Sequence, residues 1–72
     1  MKCDFVSISF SGVTRYFSTV DHMRIYDYLR SLGLGHVDSA EVASWAELAS
    51  VGDTYEVFGI LCEIRTCGDS NI

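Results

Sequence analysis

The side chains of this chain that could do chemistry are nine serines, His22 and His36, three cysteines and ten carboxylates. A nucleophilic serine needs a strained turn and a base within reach. No G-x-S-x-G elbow occurs, and two histidines among many acids are ordinary composition. His22 falls near a helix start and His36 in a loop, and neither has a perturbing partner visible in sequence, so both read as structural or solvated groups. The carboxylate pairs Asp38/Glu41 and Asp53/Glu56 are accounted for by helix caps and solvated faces. Gly33-Leu34-Gly35 is the only glycine cluster. It follows a helix instead of a strand and has no lysine, so it is neither a phosphate loop nor a dinucleotide fingerprint. No catalytic residue and no cofactor are expected.

Cys3, Cys62 and Cys67 are an odd number, and the nearest pair, Cys62 and Cys67, is not a C-x-x-C. With His22 and His36 there are enough ligand types for zinc, but no second close pair to anchor a site, and no metal is expected. One disulfide with a spare thiol is possible on the count alone. Reduced intracellular cysteines fit it better.

Charge is more informative. Ten acids against five bases give −5, which argues against nucleic acid or an anionic membrane as the direct ligand. The excess is local. Residues 1–30 carry Lys2, Arg15, Arg24 and Arg30 against three acids, whereas residues 31–64 carry Asp38, Glu41, Glu47, Asp53, Glu56 and Glu63 and no base. Such a half can serve solubility alone. It can also steer the protein onto a basic surface, carboxylates standing in for phosphates, with exposed Tyr26, Phe58 and Leu61 as apolar anchors.

These groups need elements to hold them. A chain of 72 residues allows one domain with a small core, and its 49% hydrophobic content excludes a disordered chain. No apolar run approaches the roughly 18 residues of a membrane span, and the first residues lack the apolar core of a signal peptide. Residues 2–10 alternate as a strand, Ser11-Gly12 signals a turn, and residues 13–18 form a second strand. Facing Phe10 with Val13 sets Ile8 opposite Arg15 and Val6 opposite Phe17, gathering Val6, Ile8, Phe10, Val13 and Phe17 on one face with a lone Arg15. Thr19 is the expected cap of a first helix with Asp21 in its first turn; Ile25, Tyr28, Leu29 and Leu32 are its buried stripe, and Gly33 ends it. Met23 and Asp27 point away. Asp38-Ser39-Ala40-Glu41 reads as the start of a second helix, to about Ser50, with Val42, Trp45, Ala46 and Ala49 inward and Trp45 the largest core contributor.

Residues 54–66 read as a hairpin about Phe58-Gly59, pairing Val57 with Ile60 and Tyr55 with Cys62, or as one kinked strand. Phenylalanine disfavours a type I′ turn there, so a bulged turn with Gly59 left-handed is expected. The fold expected is α+β in the order ββααββ: a four-stranded antiparallel sheet of two hairpins, with both helices on one face. Residues 1–66 form the domain and 67–72 a flexible tail.

The stretch Val42-Ala43-Ser44-Trp45-Ala46-Glu47-Leu48-Ala49, then Gly52-Asp53-Thr54-Tyr55-Glu56, resembles small proteins of bacterial phages and mobile elements. Tyr16-Phe17-Ser18-Thr19 before the helix containing Tyr26 to Leu29 is similar. The resemblance implies an inhibitor of host defence, of the anti-CRISPR type, in the cytoplasm of a bacterial host. It implies binding to a nuclease complex, such as a Cas effector, that blocks the nucleic-acid site or the activating conformational change. No functional residue is transferred by it.

The leading expectation is therefore a non-enzymatic interaction protein whose partner is a protein with a basic surface. Its expected contact residues are Asp38, Glu41, Glu47, Asp53, Glu56, Glu63, Tyr26, Phe58 and Leu61. The alternative is a self-assembly module dimerising through a strand edge. A third class is a small ligand-binding domain or enzyme, using His36 and nearby acids at a subunit boundary.

Overall fold

A computed structural model of the chain describes residues 4–66. Strands β1 (Asp4–Phe10) and β2 (Val13–Ser18) are followed by helices α1 (His22–Ser31) and α2 (His36–Leu48), then strands β3 (Thr54–Val57) and β4 (Ile60–Thr66). The order ββααββ and the antiparallel sheet are those expected. The strand order is β2-β1-β4-β3, so the first and last strands lie side by side at the centre. Expected residues 67–72 of the tail, with Cys3 and Cys67, lie outside the described residues.

Both hairpins adopt the register that segregates their faces. Phe10 faces Val13 and Val6 faces Phe17 in the first; Tyr55 faces Cys62 and Val57 faces Ile60 in the second. Across the centre, Val6 meets Ile64 and Ile8 meets Cys62. One sheet face thereby presents Val6, Ile8, Ile60, Cys62 and Ile64 to Ile25 and Leu29 of α1 and to Val42, Ala43 and Ala46 of α2. Each fully buried isoleucine or leucine contributes about 1.5–3 kcal/mol. The alanines let the two helices approach closely. Both helices lie on this one face.

Four local expectations are corrected. Thr19 does not cap α1: it is buried, its N–H reaches the Asp4 carbonyl at 3.4 Å, and Asp21 occupies the cap position without a side-chain capping bond. The chain must leave β2 through a turn over residues 18–21 before the helix can begin, and that turn draws Thr19 inward. Second, α2 starts at His36 with Gly35 as its cap, so Asp38 lies in the first turn and Asp38–Glu41 is not a capping box. The α1 end sets this. Gly33, at φ +98°, closes a Schellman motif in which the Gly33 N–H reaches Arg30 O at 3.0 Å and the Leu34 N–H reaches Leu29 O at 3.2 Å. The chain then emerges early enough for Ser39 to be fully buried. Helix α2 ends at Leu48, because Ala49 is already extended.

Third, Trp45 is half-buried at the rim against Tyr55, with ring centroids 5.3 Å apart, and branched aliphatic residues fill the centre. Val13 is likewise 51% exposed, because it lies at the turn end of an edge strand beyond the helices. The lone Arg15 of the same strand lies over the Tyr28 ring, 5.7 Å from its centroid, which lets a cation share an apolar face. Fourth, no bulge forms at the second turn. Phe58 has φ 47° and Gly59 φ 80°, the pair of positive values that a type I′ turn requires. Ser11 and Gly12 do the same in the first hairpin, at 53° and 83°. Two-residue connections between twisted strands select this turn, and the Val57–Ile60 pairing overrides the preference of phenylalanine.

Asn suits a left-handed position far better than Phe, so Phe58→Asn is expected to raise stability by about 0.5–1 kcal/mol. Gly33→Ala, at a left-handed φ with open space around it, is expected to lower stability by about 1 kcal/mol. Urea denaturation of the two variants reads both signs.

Candidate functional site

The sheet order decides where the acidic residues go. β3 is an edge strand, and α2 lies on its side of the sheet through the Trp45–Tyr55 contact. α1 lies on the other side, through the Phe17–Tyr28 ring contact at 5.2 Å. The base-free half thus becomes one flank of the molecule, made of α2, the turn after it and β3. Glu41 and Glu47 are exposed on α2, Glu56 is exposed on the opposite, helix-free face of the same edge, and Asp38 is half-buried in the first turn of α2, where a carboxylate suits the helix dipole. Arg15, Arg24 and Arg30 lie on the β2–α1 side. Asp53 has a local duty: its carboxylate accepts the Ser50 N–H at 3.0 Å, and its carbonyl accepts the Ile64 N–H at 3.0 Å. It holds the turn between α2 and β3.

The remaining expected contact residues divide among three places. Leu61 and Glu63, with Glu56, project from the sheet face that carries no helix, and Leu61 is 44% exposed. Glu63 lies 3.9 Å from Arg65, which partly offsets its charge. That face also carries the edge-to-face pair Phe5–Tyr16. Small side chains floor its centre: Ser9 and Thr14 share a hydroxyl hydrogen bond at 2.9 Å, and Ser7 is buried beneath its larger neighbours. Tyr26, on α1, is half-buried and hydrogen-bonded to His36 Nδ1 at 2.5 Å, so its hydroxyl ties the two helices. Phe58 stands at the tip of the second hairpin, 76% exposed.

Phe58 and Asp38 are brought together across 20 residues of chain. They share the rim of a cavity of about 370 Å³ at the turn end of the sheet, with Phe10, Leu32, Leu34 and Ile60 as its apolar lining. Sequence reasoning placed Phe10 and Leu32 on buried faces and missed them, with Leu34, as cavity walls. The one signal available was the misfit of phenylalanine in a Phe-Gly hairpin turn.

Among the described residues, no group of three or more His, Cys, Asp or Glu side chains is gathered that could hold a metal. No helix is long and apolar enough to cross a membrane. Cys62 is a free thiol buried in the core, and burial pushes its pKa from 9.0 up to about 11. In comparisons with known proteins, no family model, no curated protein and no solved structure matches this chain.

The thiolate is the reactive form, so Cys62 is expected to resist thiol reagents in the native protein and to react on unfolding. Its raised pKa adds stability that is fully present below pH 9 and is lost as pH rises from 9 towards 11, where only the unfolded thiol ionises. Denaturation across that window should show the decline, and Cys62→Ala should reduce its slope.

Proposed function

We propose that this chain is a non-enzymatic acidic interaction protein of the phage anti-defence, anti-CRISPR type. It binds a bacterial nucleic-acid-handling complex, such as a Cas effector or another defence nuclease, in the host cytoplasm. It blocks the complex's nucleic-acid site or its activation. The observation that carries this reading is the α2–β3 side of the domain, where Glu41 and Glu47 are exposed on the helix and Glu56 on the outer face of the edge strand, within a stretch of 34 residues, 31–64, that contains no lysine or arginine. Carboxylates on both faces of this edge present negative charge, as a phosphate backbone does, to a groove rich in lysine and arginine that receives the edge between its walls. The flank needs no cleft, which suits a domain whose core is filled by a single layer of aliphatic side chains.

A second reading is self-assembly through a strand edge, and the six-residue edge strand β2 with exposed Val13 and Tyr16 favours it. Light scattering separates the two, since a stable dimer with no affinity for nucleases supports assembly.

The charge reversals Glu41→Lys, Glu47→Lys and Glu56→Lys, combined, are expected to weaken binding to a purified effector nuclease by about a hundredfold or more and to restore its cleavage activity. All three side chains are exposed, so circular dichroism should show the fold retained. Binding and inhibition that survive the triple reversal overturn the reading.

A further inference from the structure

We infer that the cavity at the turn end of the sheet receives a large apolar side chain flanked by a lysine or arginine, presented by the basic face of a partner protein. The inference rests on the docking flank proposed above and names the contact that fixes its register. Three observations converge on the cavity. Its walls, Phe10, Leu32, Leu34 and Ile60, are apolar, and its volume of about 370 Å³ leaves room for one bulky side chain. The carboxylate at its rim, Asp38, is half-buried and has no hydrogen-bond or ion-pair partner among the described residues. The third observation is Phe58 itself.

Phe58 breaks a local rule to stand where it does. Its backbone is left-handed, a conformation that glycine or asparagine adopts with little strain. Its side chain is 76% exposed, so burial in the core returns little of that strain. A strained backbone that the core does not require is a mark of residues held for binding. Beside an apolar cavity, an exposed ring extends the apolar surface outward and shields the contact from water. Charge complementarity then selects the neighbour of the inserted side chain. The rim carboxylate and the nearby exposed Glu41 favour a cation there; Arg30, whose guanidinium donates to the Leu34 carbonyl at 3.3 Å, forms no ion pair with either carboxylate. A partner groove that handles nucleic acid supplies such cations, and an apolar residue among them supplies the anchor.

The test needs no nuclease. The probe is the capped tetrapeptide Gly-Phe-Arg-Gly, titrated into the isotope-labelled full chain to about 5 mM, where even a millimolar complex is mostly formed. Saturable amide shifts are expected at Gly33, Asp38, Phe58 and Ile60. The analogue with Glu in place of Arg is expected to bind about fivefold more weakly or worse, a difference on the order of 1 kcal/mol for one charge reversed at a partly exposed site. Phe58→Asn should remove the shifts while raising stability, so their loss will not reflect unfolding. Asp38→Asn should erase the difference between the Arg and Glu peptides.

Three results overturn the inference: no saturable shift at the cavity, equal affinity for the two peptides, or shifts mapping elsewhere. Shifts of the same amides on dilution of the protein alone also overturn it, because they place a second copy in the cavity. Failure here leaves the acidic flank standing. Nuclease binding that ignores the charge reversals removes the flank without touching the peptide result.

Discussion

Everything in this domain depends on the pairing of β1 with β4. These strands lie at opposite ends of the chain, yet Val6 meets Ile64 and Ile8 meets Cys62 at the centre of the sheet, all four buried. Each hairpin alone is a two-stranded ribbon of the kind that is marginal in water. Joined, they make a sheet wide enough to cover the apolar stripes of both helices. Closing a loop of more than fifty residues is unfavourable in entropy, and only the burial of the combined aliphatic layer offsets it. The helices are therefore held in place by the same contact that unites the ends of the chain.

That pairing also allocates the charge. With β1 and β4 inside, β2 and β3 become the edges, and each helix covers one half of the sheet. The chain's arginines near the front go with β2 and α1, while the carboxylates of α2 and β3 lie on the opposite edge, on its two faces. A charge asymmetry along the sequence thus becomes an asymmetry across the molecule. Such an arrangement orients a protein as it approaches a charged surface, and it acts before any contact forms. The proposed docking flank and the cavity beside it answer to different forces: the flank to long-range attraction, the cavity to short-range burial.

Strain and stability trade against each other at the hairpin tips. The first tip uses Ser11-Gly12 and the second Phe58-Gly59, in the same left-handed geometry. Serine and phenylalanine are both poor there, but the serine is small and polar, and solvation explains it. The phenylalanine carries a large apolar surface into solvent at the mouth of a cavity. Among the exposed apolar side chains of the described residues it is the one whose backbone is also unfavourable, which separates it from scattered surface residues such as Leu48 or Val37.

The sequence by itself determined the first hairpin and its register, the two helices, the aliphatic faces and the location of the excess charge along the chain. It set the second register for a hairpin while leaving one kinked strand open over residues 54–66. The physical reason is that alternation, turn residues and helical spacing act over a few residues and agreed with one another everywhere but at the Phe58-Gly59 turn. Thr19, Asp38 and Trp45 were misjudged because each depends on where the chain must go next: out of β2 by a turn, out of a Schellman motif, or to the rim of a filled core. The tertiary structure alone decided that β4 lies beside β1, that α2 stands over the β3 side, and that Asp38 and Phe58 share one cavity. Those facts rest on contacts between residues far apart in sequence, whose free energy comes from burying a common layer, and no local pattern carries that.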